Sequence, residues 1–221
     1  MSRATAQSSC FAGPGELLSR HLVEVMEELR RDSAFEPIAN KVAKVYGIKP
    51  ELAMDLLEFA ALAHDVGKVD VAYKNAVKYF PLHEARSADF AYYVLTRAGL
   101  MGTNSFEAED VGNAVVIVVA LHHYSHKTPR VDATAGGFKA RCDAHIEAFS
   151  SWTPRTAEGD TLKSYAVQTR NVGRYGVYTA VLKAIHGINN KTKLRASAAA
   201  ILGLLNKADG AVASRNRRRT P

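Results

Sequence analysis

Cysteine is scarce in this chain, and the two present, Cys10 and Cys142, lie far apart with neither paired nor CxxC spacing. That scarcity argues against a disulfide framework and against a zinc ribbon, so both residues are expected to be bystanders. Long apolar runs are missing too, since no stretch approaches the ~20 residues of a membrane span. The opening Met1-Ser-Arg-Ala-Thr-Ala-Gln has no signal-peptide core. The expectation is a cytoplasmic protein with no membrane partner. Acidic residues are in deficit, 22 against 29 Lys and Arg, for a formal net charge of +7. That balance favours a polyanionic partner, although part of the excess is the terminal cluster Arg215-Asn-Arg217-Arg218-Arg219.

What is present suits a single globular unit, because 221 residues are enough for one good core and short for two. The expected organisation is an N-terminal segment over 1–14, one all-α domain over 15–214 and a basic tail over 215–221. The stretch Phe59-Ala-Ala-Leu-Ala-His64-Asp65-Val-Gly67-Lys68 carries the most information. From Glu51 to Asp65, Leu52, Leu56, Leu57, Phe59, Ala60 and Ala63 recur at helical intervals. Pro50 precedes them, and Gly67 follows where a left-handed cap is favoured. His64 shares the inward face of Ala60 and Leu57, with Asp65 turned about 100° away. A carboxylate there meets the negative end of the helix dipole and loses hydration, so a cation should compensate. A lone His-Asp pair can be a satisfied core pair or two ligands of a metal. Further ligands at inward positions would decide for the metal.

Such residues recur along the chain. His21 lies within the stripe Leu17, Leu18, Leu22, Val25, Met26 and Leu29 of a helix expected over Glu16 to Arg31. A short helix from Pro37 to Tyr46 should close at Gly47. After a loop over Val69 to Pro81, His83 begins another helix, one turn ahead of Ser87. Glu107 to His123 has strand-like valines, but its length and acidic start favour a buried helix ending in His122-His123. His126 should fall in a loop. Lys127 to Gly173 reads as an irregular, loop-rich excursion with one helix over Lys139 to Phe149; its Lys139, Arg141, Trp152 and Arg155 are expected in a solvated loop. Helices over Arg174 to Ile188 and Ser197 to Ala213 close the chain, and the last carries Asp209 in its buried stripe. An unpaired carboxylate there would be costly.

The ordered set His21, His64-Asp65, distant Asp209 resembles the HD superfamily of metal-dependent phosphohydrolases. More narrowly, His64-Asp65-Val-Gly67-Lys68, His83 with Ser87, His122-His123 and Leu205-Asn-Lys-Ala208-Asp209-Gly-Ala-Val-Ala-Ser214 resemble the HD nuclease of type I CRISPR interference. With the chain ending after the Asp209 helix, it looks like the stand-alone HD subunit. The resemblance implies an HD-type helical bundle that hydrolyses single-stranded DNA with a metal-activated water. It implies one ion on His21, His64, Asp65 and Asp209, and a second on His83, His122, His123 and a bridging Asp65. The mixed nitrogen and oxygen donors suit Mn, Fe, Co or Ni better than Mg or Zn. Lys68 would stabilise charge on a phosphate, with Ser87 and Ser214 orienting ligands behind it. The implied partners are a separate CRISPR DNA helicase subunit and a crRNA-guided surveillance complex. Gly210 departs from the pattern, where a bulkier neighbour to the aspartate is expected. Competing readings are an HD nucleotide phosphatase or triphosphohydrolase, which needs only the first metal set, and a helical interaction module without metal.

Overall fold

The computed structural model describes residues 9–76, 78–102, 110–123, 137–188 and 191–217. His126, the beginning of the excursion up to 136, Arg218 and Arg219 lie outside them. Among the described residues the chain is all-α. A small hairpin, β1 (Phe11–Gly13) and β2 (Glu16–Leu17), leads into α1 (Leu18–Arg31), α2 (Phe35–Tyr46) and α3 (Pro50–Ala63). Two 3₁₀ turns, Val66–Val69 and Val71–Tyr73, precede α4 (His83–Arg97) and α5 (Val111–Leu121). Then come β3 (Phe138–Lys139), α6 (Ala144–Ser151), α7 (Ala157–Gln168), β4 (Asn171–Val172), α8 (Val177–Ile188) and α9 (Thr192–Arg217). No helix among the described residues is long and apolar enough to cross a membrane.

Helix α3 is the hub. It packs on α1, α2 and α5, and its apolar residues from Leu56 to Ala63 are sealed from solvent. Pro50 opens it at the first turn, where the missing N–H is harmless. The valine run of Val111–Leu121 is helical because it is enclosed by α4, α9, α3 and α8, with no strand among the described residues beside it to pair with. Asp110 caps that helix, accepting from Asn113 N at 2.7 Å. The chain forms α1 only from Leu18, because Glu16 and Leu17 pair with the preceding strand.

Three expectations need correction. Gly67 is not a left-handed cap, since the chain continues from α3 through Asp65 into the 3₁₀ turn. Glycine is required there because a Cβ would collide with the carbonyl of His83. The described part of the excursion, 137–173, is also far more ordered than its composition suggests. Strands β3 and β4 pair antiparallel at its ends, and α6 and α7 lie between them. Trp152 is wholly buried and donates to Glu58 Oε2 at 2.7 Å, while Arg155 reaches Glu58 Oε1 at 2.7 Å and Asp55 Oδ1 at 3.3 Å. Arg30 completes the network with a two-pronged bond to Glu58, both contacts 2.6 Å. Asp55 and Glu58 are the polar exceptions on the buried face of α3, a signal in the sequence that went unread.

The third correction concerns the cysteines. Cys10 and Cys142 form a disulfide with Cα atoms 6.3 Å apart, joining the N-terminal hairpin to the loop before α6. Only the folded topology brings positions so distant in sequence within bridging range. At the other end, α9 runs through the start of the expected tail, and Arg215 donates to Glu28 Oε2 at 3.1 Å.

Candidate metal centre

Four imidazoles are oriented through Nδ1. His64 Nδ1 donates to Ala61 O, His83 Nδ1 to Phe80 O and His122 Nδ1 to Val119 O, each at 2.7 Å. A carbonyl oxygen can only accept, so these rings carry the proton on Nδ1 and present Nε2 as a bare lone pair. His21 does the same with Glu16 Oε1 at 2.8 Å. Leu82 adopts a left-handed conformation, φ 59°, at the entry to α4. That is a sparsely populated state for a branched side chain, held at the turn that sets the His83 ring against Phe80.

The outer nitrogens converge on Asp65. Its Oδ1 lies 2.8 Å from His83 Nε2 and 3.4 Å from His122 Nε2. Its Oδ2 lies 3.5 Å from both His21 Nε2 and His64 Nε2. Asp209 Oδ1 closes the second half, 3.3 Å from His21 Nε2 and 3.9 Å from His64 Nε2. Two ligand groups result, Asp65 with His83, His122 and His123, and His21 with His64 and Asp209, each with donor atoms within 4.8 Å of one another. The Asp65 carboxylate stands between them with one oxygen toward each.

The chemistry of this donor set fits divalent cations. The Nε2 atoms of His21, His64, His83 and His122 and Oδ1 of Asp65 are buried without hydrogen-bond partners among the described residues. Buried polar atoms are seldom left so, and lone pairs aimed at carboxylate oxygens repel unless a cation or an extra proton intervenes. Burial opposes the extra proton, pushing the His64 imidazole down to about 4 and also lowering His83 and His123. For Asp65, burial alone would raise the carboxyl, but Lys68 and the surrounding imidazoles hold it well below the ordinary range. His21 shows the reverse balance: burial would lower it, and Asp209, Asp65 and Glu16 outweigh that and raise it. His64, His83 and His123 are thus held neutral and Asp65 ionised, the forms that ligate metal, whereas on His21 a metal would have to displace a proton.

The remaining sequence candidates take definite places. Lys68 Nζ is 2.5 Å from Asp65 Oδ2 and 3.0 Å from Ala12 O, so it is anchored to the bridging carboxylate. Ser87 Oγ accepts from Gly67 N at 2.8 Å, locking the turn after the His-Asp pair. His123 is half-buried, its ring 4.1 Å from that of His122. Ser214 is exposed and turned about 140° round α9 from Asp209; the fold does not bring it to the centre. Gly210 has open space around a would-be Cβ, so the missing bulk beside Asp209 leaves the ligand in place.

A cleft of about 500 Å³ opens over both groups, lined among others by Glu16, Lys68, Lys78, Asp209 and Asn216. Sequence reasoning missed Glu16, Lys78 and Asn216. For Glu16 a signal existed, a carboxylate five positions ahead of an inward histidine, but nothing local separates it from a helix-start residue.

Histidines and carboxylates clustered at the ends of packed helices fit a metal-dependent hydrolase. The model of the HD domain family matches residues 20–162, nearly two thirds of the chain, and the protein belongs to that family. The matched span holds every histidine of the centre and Asp65; Asp209 and Glu16 lie outside it. No curated protein matches the sequence.

Proposed function

We propose that this protein is a metal-dependent nuclease that hydrolyses phosphodiester bonds of single-stranded DNA in CRISPR interference. The observation that carries the reading is the division of the Asp65 oxygens between two histidine groups. A one-metal nucleotide phosphatase would use His21, His64, Asp65 and Asp209 and would leave His83, His122 and His123 without a joint task. Divalent ions held there would supply Lewis acidity and an activated water. His21, His64, His83 and His122 hold their lone pairs in place through Nδ1 bonds, so little reorganisation is needed on binding. Lys68 holds Asp65 ionised and oriented. Lys78 lines the cleft and has no hydrogen bond or ion pair with the described residues, so its ammonium is available to a substrate phosphate. The net charge of +7 suits a polyanionic backbone. The proposed partners are a DNA helicase on a separate chain and a crRNA-guided surveillance complex; Mn, Fe, Co or Ni are the proposed ions.

One observation favours the alternative of a small-nucleotide phosphohydrolase: a cleft of about 500 Å³ is the size of a nucleotide site. The test strips metal, restores Mn, Co, Ni, Fe, Mg or Zn singly, and offers labelled single-stranded DNA beside a panel of nucleoside mono-, di- and triphosphates. Cleavage of the strand with two bound ions is expected. Turnover of nucleotides alone would replace the nuclease reading with the phosphatase one.

A further inference from the structure

His21 differs from the other ligand-type histidines in what orients it. His64, His83 and His122 each donate to a backbone carbonyl three residues back, so their own local turns set the rings. His21 instead donates to the side chain of Glu16, which belongs to the hairpin ahead of α1. That hairpin also supplies Ala12 O to Lys68, the lysine seated on Asp65. Two contacts from one short element therefore reach both carboxylate-bearing parts of the centre.

Little of the hairpin is buried. Between Ser9 and Leu17 only Cys10 is buried, and Leu17 is 46% exposed. Its strands are three and two residues long, too short for independent stability. Among the described residues its polar ties include Leu18 N to Cys10 O at 2.9 Å, Arg141 Nη1 to Ser9 O at 3.4 Å and Asn216 Nδ2 to Glu16 Oε1 at 2.6 Å, and Cys10 and Ala12 pack against the core. The covalent tie is the Cys10–Cys142 bond. Both cysteines line a small cavity of about 200 Å³ separate from the active cleft, which gives a thiol a route to the bond. The hairpin also precedes the span matched by the family model, so the family pattern does not account for it.

We propose that Glu16 is a positioning residue for His21, carried on a strap whose attachment depends on the oxidation state of Cys10 and Cys142. Reduction by an external dithiol breaks the S–S bond, converts Cys10 and Cys142 to two thiols with the dithiol's two protons, and leaves the reductant as its own disulfide. The freed strap withdraws Glu16 from His21 and Ala12 from Lys68. The His21–His64–Asp209 half then binds metal less tightly, while His83 and His122 keep their own backbone anchors. The inference rests on the reading that His21 holds metal, but it does not depend on which phosphoester is cleaved.

The experiment uses the full chain. Hydrogen exchange and Co²⁺ affinity, by chelator competition, are compared before and after reduction with a phosphine, with Cys142→Ser as the reductant-free equivalent. Expected are faster exchange confined to residues 11–17 and the start of α1, and a loss of roughly tenfold in affinity for one of two ions. Cys142→Ser should show the same state without reductant and no further response to it. Glu16→Ala should weaken the same ion, and Glu16→Gln, which keeps an acceptor oxygen, should restore much of it. Unchanged exchange and affinity on reduction would overturn the proposal. So would accelerated exchange throughout α3 and α5, which would make the bond a general stabiliser, or free thiols in the unreduced protein. Failure to cleave DNA alongside an intact redox response would sink only the nuclease reading.

Discussion

Asp65 Oδ1 lies 2.8 Å from His83 Nε2, yet neither atom carries a hydrogen when the His83 proton sits on Nδ1. A buried contact between two acceptors is stabilised by a cation shared between them. Asp65→Asn replaces one of the two oxygens by an NH₂ group. On the proposed two-ion nuclease reading, the variant should bind at most one ion in place of two, and cleavage of single-stranded DNA should fall by more than about 100-fold. Elemental analysis beside initial rates checks this; a variant with two ions and normal rate would refute the shared carboxylate.

Lys78 tests the cleft without touching the ligands. Lys78→Gln should raise KM for single-stranded DNA several-fold with kcat nearly unchanged. It should also reduce the slope of log affinity against log salt by about 0.7, the value for one lost phosphate contact on a single strand. Binding titrations in metal-free protein at several salt concentrations measure the slope, and an unaltered slope would remove Lys78 from the substrate path.

The second half of the chain is tied to α3 by charge. Burial alone would raise the Glu58 carboxyl, but bonds from Arg30, Trp152 and Arg155 hold it below its usual value. Removing a member of a buried, hydrogen-bonded ion network typically costs about 3–5 kcal/mol. Arg155→Ala strips one cation from Glu58 and Asp55 together, and thermal unfolding should move down by roughly 5–15 °C. A shift under about 2 °C would mean that Arg30 and Trp152 suffice for Glu58, and the amides of residues 155 and 156 with the Thr156 hydroxyl for Asp55.

His145 sets an acid limit. Its Nε2 donates to Thr169 O at 2.9 Å, its Nδ1 is buried without a hydrogen-bond partner among the described residues, and burial pushes the imidazole down to about 4. Unfolded, it titrates near 6.5, so between those values the unfolded chain binds the extra proton. Stability should be full above pH 6.5 and fall as pH drops toward 4, by on the order of 3 kcal/mol from this group. Denaturant titrations of metal-free protein at pH 7, 6, 5 and 4 should show a shallower decline in His145→Gln, which retains a donor for Thr169. Parallel declines would exonerate His145.

Helical periodicity is local, and it puts His21, His64, His122 and Asp209 on inward faces and His83 at the start of a helix. Each belongs to a strongly patterned segment, so side-chain direction followed from spacing alone. The helix Val111–Leu121 was legible despite its β-branched residues, because its length and acidic start outweighed strand propensity. The 137–173 stretch was less legible, because the order there comes from Asp55 and Glu58 on α3 capturing Arg155, Trp152 and the start of α7. No window of sequence contains both partners.

The sequence by itself determined that this is a helical chain with metal-type ligands at helix ends, since a residue's face depends only on its neighbours within two turns. Tertiary structure alone decided that Cys10 meets Cys142, that Glu16 orients His21, and that the oxygens of Asp65 part toward different histidines. Those relations join positions from five to more than a hundred residues apart, and such pairs are fixed by how helices pack and by which way loops return, quantities that no local pattern encodes.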